Sequence, residues 1–416
     1  MKFLETDTLE QARQKLLHAA QRLELRAEDV AIEEACGRVL ARPVRAGLDV
    51  PDFRKSTVDG YAVRAKDTQG AGESIPCFLE VRGEVSIGHP APGEISAGDC
   101  MYVPTGGMLP EGADAMVMVE HAESFDAATI AVYSAVSPGR NVIQTGEDAR
   151  AGEVLLEAGR RLAPADIGVL ASVGLRQVSV YEMPSITILS TGNELVDPGE
   201  AKQPGQVYDI NTYGIAAQCG RWQIPVRRMA RLADDAQVLR EAVSGATADS
   251  DIVVLSGGSS KGRADYTAQT IDALASPGVF THGIRIKPGK PTILGFDEPR
   301  GTLLVGLPGH PAAAMMVFDL LVLWLLRKKM GVCPPRGRFA RMEVNVPGGS
   351  GRTVCQMVQL IPADTAATGP APDDLARPLL GASGLIGVLS KADGYVMIPA
   401  DKEGLKKGET VEVIPL

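Results

Sequence analysis

Four carboxylates and two lysines stand where they could act on a phosphate. Glu194 lies in the polar turn STGNEL, Asp234 and Asp235 are adjacent, and Asp265 falls in DIVVLSGGSSKGRADYT, Asp251 to Thr267. Carboxylates beside Gly-rich loops suit a divalent cation, which offsets their repulsion while gripping phosphate oxygens. Opposite in sign is IRIKPGKP, Ile284 to Pro291, where Lys287 and Lys290 flank a rigid Pro-Gly turn. Two ammonium groups so placed can converge on one oxyanion, although solvated lysines on a hairpin share the pattern. In Ser256-Gly257-Gly258-Ser259-Ser260 the glycines let a ligand approach the backbone, and a helix-like segment, Ala264 to Ala275, follows. That order suits an anion at a helix N-terminus, and it equally suits a plain βα turn. GLPGHP, Gly306 to Pro311, enters another helix with Pro311 near its first position, and His310 is a candidate base or ligand. The chain contains neither G-x-G-x-x-G nor G-x-x-x-x-G-K-[ST]. Dinucleotide folds and P-loops are therefore unsupported.

Such scattered turns need a scaffold that gathers them on one edge. After Met183-Pro184, strands (Ser185 to Ser190, Val226 to Leu232, Ile252 to Leu255, Thr302 to Val305) alternate with helices about Tyr213 to Cys219, Ala236 to Ser244 and Pro311 to Leu326. Phe280 to Ile286 reads as a further extended run. The spacing predicts a doubly wound α/β domain. In such sheets ligands bind beyond the carboxyl ends of the strands, where the turns just named fall.

The flanking regions read differently. Thr8 can cap a helix reaching about Leu23. LDVPDFRKSTVDGYAVR, Leu48 to Arg64, contains the turn signal Asp59-Gly60. From Cys77 to Val136 short alternating strands separated by Gly and Pro predict a small β module, with Thr105 on a Gly-Gly loop inside PTGGMLPEGADAMVMVE. GEDARAGEVLLEAG, which carries Asp148, leads back into a hairpin, and Pro164 to Val173 forms a helix closed by Gly174. From Arg338 strands return (Phe339 to Val346, Val354 to Ile361, Tyr395 to Ile398, Thr410 to Ile414), with Pro362 to Pro378 as a loop. The fold class expected is thus α/β plus β modules. Residues 1–48 with 146–182 form a discontinuous N-terminal domain, 49–145 a β-rich domain, 183–329 the α/β domain and 330–416 a C-terminal β domain.

Composition narrows the function classes. A net charge of −9 argues against a non-specific nucleic-acid binder. Six scattered cysteines without a C-x-x-C pair favour free thiols in a reducing cytosol. The acidic start MKFLETDTLEQA does not read as a signal peptide, and the greasiest segment, Ala312 to Leu326, is broken by Asp319 and too short for a bilayer. A soluble cytoplasmic protein, with no nucleic acid or membrane as partner, is expected.

Taken in order, nine stretches resemble the MoeA family, which includes the gephyrin E domain: LDVPDFRKSTVDGYAVR, PTGGMLPEGADAMVMVE, GEDARAGEVLLEAGRRL, STGNEL, QVYDIN, SGGSSKGRADYT, IKPGKP, GLPGHP and SKADGYVMIP. The resemblance spans nearly the whole chain. It implies a molybdopterin molybdenumtransferase that ligates molybdenum from molybdate into adenylylated molybdopterin, releases AMP and is assisted by Mg²⁺. It also implies four domains in an elongated homodimer, an α/β domain like the MogA pterin-binding fold, and a MogA-type adenylyltransferase and molybdoenzymes as partners. Carried over by position, the catalytic set is Asp59, Thr105, Asp148, Glu194 and Asp265, with Glu194, Asp234 and Asp265 toward the metal. Substrate binding would fall to Ser256, Gly257, Gly258, Ser260, Asp234, Lys287, Lys290, Pro308, Pro311 and Ser383. The chain also departs from its relatives. Ser259, Lys261 and Arg263 stand where the family has Val, Val and Glu, Asn193 replaces Asp, and His310 replaces Asn. Ala313 and Met357 occupy positions where Ser and Arg are expected, with Arg352 close to the second. Two alternatives stay open beside the insertase: a paralogue handling tungstate, and a non-catalytic dimeric pterin-binding or scaffold protein.

Overall fold

The computed structural model describes residues 6–257, 263–362, 374–381 and 386–416, with the side chains of residues 263–265 outside that description. Its centre is a six-stranded sheet ordered Val226–Leu232, Ile186–Thr191, Ile252–Gly257, Thr302–Leu307, Ile293–Asp297, Pro277–His282. The first four strands run parallel, and Ile293–Asp297 runs antiparallel to both neighbours. Unbroken apolar sequence suits these strands because both faces are covered. Ile188, Val254 and Val305 pack with Ile215, Cys219 and Ala312 on one side, and Leu189, Val253 and Leu304 with Leu239, Val243 and Ile271 on the other. Alternate residues of one strand thus feed two cores. The helices concerned are Asn211–Arg221 and Pro311–Val317 on the first face, Ala236–Asp249 and Arg263–Leu274 on the second.

Two sequence expectations are corrected here. The run Phe280 to Ile286 is not one strand. Pro277–His282 closes the α/β sheet, whereas Ile286–Lys287 pairs in parallel with Thr353–Ile361 of a different sheet. The fully buried Ile293–Asp297 strand was not foreseen, because it is short and hemmed by Pro291 and Pro299. That different sheet is the C-terminal one, ordered Ile286–Lys287, Thr353–Ile361, Leu375–Pro378, Arg338–Met342, Thr410–Pro415, Gly394–Ile398, and it closes through an added pairing of Thr353–Ile361 with Gly394–Ile398. Leu375–Pro378 is a strand where composition reads as loop, with Ala376 and Pro378 turned to the core.

The small β module is another six-stranded sheet, in which Gly60–Val63 lies between the edge strand Ala115–Met118 and Asp99–Val103. It is inserted between paired elements. Ala27–Ala31 pairs with Gln177–Tyr181 and Val44–Arg45 with Val154–Leu156, so the chain leaves and returns along adjacent strands.

Thr8 and Gln11 form a reciprocal capping box for helix Leu9–Ala19, which buries Leu9, Ala12 and Leu16 against the α/β core. The helical run from Pro311 to Met330 widens into a π-helical segment at Phe318–Leu323. Such a turn loosens the backbone ladder. Arg13 Nε donates to the Leu320 carbonyl at 3.1 Å, and Arg327 donates to the Asp319 carbonyl at 3.3 Å while pairing with the Asp319 carboxylate at 3.2 Å. All six cysteines are free, and burial pushes the thiols of Cys100, Cys219 and Cys355 up to about 12, which keeps them protonated. Among the described residues no helix is long and apolar enough to cross a membrane.

Candidate functional site

Strand Ile186–Thr191 comes first in the α/β sheet, and its two neighbours follow in opposite directions across the sheet. The crevice at their carboxyl ends is therefore the topological switch point, where open α/β sheets bind ligands. A cleft of about 270 Å³ opens there, lined by Thr191, Asp234, Asp235, Leu239, Tyr266 and Thr267. Gly257 ends its strand opposite Thr191 with φ 120°, and a Cβ at that position would lie 2.2 Å from the Thr191 carbonyl oxygen. Only glycine allows the two strand ends to run this close.

The loops around this crevice are tied together by polar side chains. Asp209, buried, accepts from Ser190 Oγ at 2.5 Å and from Thr212 Oγ1 at 2.6 Å, fixing the entry to helix Asn211–Arg221. Asn211, only 8% exposed, donates through Nδ2 to Ser256 Oγ at 2.8 Å and to the Gly309 carbonyl at 3.0 Å. Its amide orientation follows from that carbonyl, which can only accept. Its Oδ1 is buried without a partner among the described residues. Sequence reasoning carried QVYDIN as a motif and gave Asp209 and Asn211 no role. The pairing of a buried Asp and Asn at a helix start was the available signal.

The acidic pair Asp234-Asp235 divides its work. Asp235 caps helix Ala236–Asp249, its Oδ1 accepting from Gln237 N at 2.8 Å and Val238 N at 3.0 Å, so it serves the scaffold as well as lining the cleft. Asp234 exchanges two bonds with Asn193: its carboxylate accepts from Asn193 N at 3.3 Å, and its own N donates to Asn193 Oδ1 at 3.1 Å. A neutral amide here avoids placing another carboxylate against Asp234. Glu194 is exposed on the same rim.

Lys287 and Lys290 are exposed on a hairpin, and neither forms an ion pair with a described residue. Pro308 is buried in the strand-end loop, and Pro311 is the buried first residue of its helix. Asp59 and Thr105 are brought together in the β module, where the Thr105 amide donates to Asp59 Oδ1 at 2.8 Å. Asp59-Gly60 is more than a turn. Gly60 opens the strand Gly60–Val63, where a Cβ would lie 1.9 Å from the Val117 carbonyl oxygen. Asp148 is exposed and lines a second cleft, with its amide donating to the Val50 carbonyl at 3.0 Å. Among the described residues of one chain, Asp59, Thr105 and Asp148 make no hydrogen bond to the α/β rim. Gly258, Ser259, Ser260, Lys261 and Ser383 lie outside the described residues. Arg263 and Asp265 belong to helix Arg263–Leu274, but their side chains lie outside the description too. Ala313 and Met357 are both buried in apolar packing, so neither offers a polar group to the rim.

Comparison with known proteins covers nearly the whole chain. Residues 7–174 match the family described as MoeA N-terminal region (domain I and II), 187–328 the one described as "Probable molybdopterin binding domain", and 340–416 the MoeA C-terminal region (domain IV). A molybdopterin molybdenumtransferase of Haemophilus influenzae is 34% identical over 324 residues, covering 78% of each chain. One from a Nostoc species is 35% identical, covering 73% of this chain and 70% of that one. The crystal structure of a molybdopterin biosynthesis MoeA protein from Pyrococcus horikoshii superposes with a TM-score of 0.78 at 36% identity, covering 99% of both chains.

Proposed function

Because the chain belongs to the MoeA family, we propose that it acts in molybdenum cofactor biosynthesis as a molybdopterin molybdenumtransferase, placing molybdenum from molybdate into adenylylated molybdopterin with release of AMP. The observation that carries this is the crevice at the switch point. Exposed Glu194 and Asp234 stand there beside glycine-lined strand ends, and exposed Lys287 and Lys290, which form no ion pair with a described residue, stand on a separate hairpin. Lysines are suited to hold the molybdate and phosphate oxygens, and the carboxylates to orient the water that cleaves the phosphoanhydride.

The donor set also fits magnesium. Among the described residues no cluster of three acidic, His or Cys ligands exists, and Asp235 is occupied as a cap. Mg²⁺ is commonly held by one or two carboxylates plus substrate phosphates, which Glu194 and Asp234, with Asp265, can supply. When bound, the ion would neutralise charge on the phosphates. Asp59, Thr105 and Asp148 complete the cleft in this reading from a partner copy in a homodimer, since among the described residues no bond joins them to the rim of their own chain. The division into 1–48 with 146–182, 49–145, 183–329 and 330–416 is supported by the three six-stranded sheets, with Ile286–Lys287 as the strand that crosses a boundary into the C-terminal sheet. Ser383, Gly258 and Ser260 join the substrate-binding set by resemblance alone.

Purified protein given adenylylated molybdopterin, Mg²⁺ and molybdate is expected to release AMP stoichiometrically with metal-loaded cofactor, as followed by chromatography. Release with tungstate alone would favour the paralogue. Absence of release with both anions would leave the dimeric scaffold.

A further inference from the structure

Outside the carboxylate rim, the most heavily braced feature is the hairpin that carries the two lysines. We propose that Asp7 is a positioning residue for Lys287 and Lys290, acting through that hairpin; this rests on their assignment to oxyanion binding. The hairpin is closed on itself by Gly283 N donating to the Thr292 carbonyl at 2.7 Å, Ile284 N to the Lys290 carbonyl at 3.0 Å and Thr292 Oγ1 to the Gly289 carbonyl at 2.7 Å. Its first arm is then held from two sides. On one, Asp7 N donates to the Gly283 carbonyl at 3.1 Å, and the Asp7 carbonyl accepts from Arg285 N at 2.7 Å. On the other, Thr353 N of the C-terminal sheet donates to the Arg285 carbonyl at 3.0 Å, beside the Ile286–Lys287 pairing.

What fixes Asp7 is its side chain. The carboxylate, 13% exposed, accepts from Thr281 Oγ1 at 2.8 Å and from Lys15 Nζ at 2.8 and 2.9 Å. Lys15 belongs to helix Leu9–Ala19, whose opposite face is locked in the α/β core. Gly283 has φ 94°, and a Cβ on it would lie 2.9 Å from Thr6 Cγ2, so the Thr6-Asp7 segment is pressed against the hairpin. Lysine side chains are long and flexible, and only a fixed backbone keeps two ammonium groups on one anion. Displacing the arm by about 1 Å is enough to spoil such convergence. Asp7 reaches no ligand itself. It sets where the lysines start from.

The test is titration calorimetry of full-length protein with molybdate and, separately, with AMP. Lys287→Ala should raise the molybdate Kd roughly thirtyfold. Asp7→Ala should raise it roughly tenfold while AMP affinity stays at the parent value. Thr281→Val should shift molybdate binding in the same direction and add less than its full effect on top of Asp7→Ala, since both act through one contact. If Lys287→Ala weakens molybdate and Asp7→Ala does not, the positioning role is overturned while the oxyanion site stands. If neither variant changes molybdate binding, the oxyanion assignment fails and the proposal falls with it. Equal weakening of molybdate and AMP by Asp7→Ala would mark a general loosening and also overturn it.

Discussion

Asp59→Ala is expected to slow AMP release about a thousandfold, the loss typical of a catalytic acid, base or orienting group. The fold should hardly notice. Asp59 is exposed, and among the described residues the bond its side chain makes is the one accepted from the Thr105 amide at 2.8 Å. Losing a single solvent-accessible hydrogen bond of this kind costs about 1 kcal/mol. The neighbouring Gly60 keeps the loop in place, because its α-carbon is wedged against the Val117 carbonyl whatever side chain precedes it. Single-turnover AMP release beside thermal denaturation separates the two effects. Parent-like turnover in Asp59→Ala would remove the β module from the active cleft.

Gly257→Ala should act in the opposite way, through stability first. The added methyl would meet the Thr191 carbonyl oxygen at 2.2 Å in a backbone conformation, φ 120°, that L-residues rarely adopt. Clash and strain together should cost more than about 3 kcal/mol. Gly199 is the natural comparison. It also has positive φ, at 96°, but open space around its α-carbon, so Gly199→Ala carries the strain without the clash and should cost about 1 kcal/mol. Urea denaturation of both variants decides the matter. Equal losses would mean that the close approach of the two strand ends is not what requires glycine.

The α/β sheet was legible because its buried strands are continuous apolar runs and its turns carry Gly, Asp and Ser at regular intervals. Among the strands that escaped, two did so for opposite reasons. Ile293–Asp297 is apolar enough, but its five residues sit between prolines and read as the tail of a loop. Leu375–Pro378 alternates correctly, with every second residue buried, yet four residues ending in proline carry too little pattern to stand out. At the site, residue type revealed the charges but not their allegiance. Asp234 and Asp235 look alike in sequence, and only the start of helix Ala236–Asp249 shows that one of them is a cap. Asn211 was missed because its partners, Ser256 and the Gly309 carbonyl, lie 45 and 98 residues away, beyond any local spacing rule. The Lys287 hairpin likewise could not be seen to join the C-terminal sheet, since a two-residue strand has no periodicity to read.

The insertion of the β module between paired strands also sets a timetable for synthesis. Ala27–Ala31 finds its partner only in Gln177–Tyr181, about 150 residues later, whereas the strands of the module all lie between Gly60 and Val132. At roughly 5–20 residues per second, the first strand emerges on the order of ten seconds before anything exists to pair with it. The module's sheet is complete well within that interval. Ala27–Ala31 is short and half-exposed and carries Glu28 and Asp29, the kind of edge that can wait unpaired without recruiting another chain.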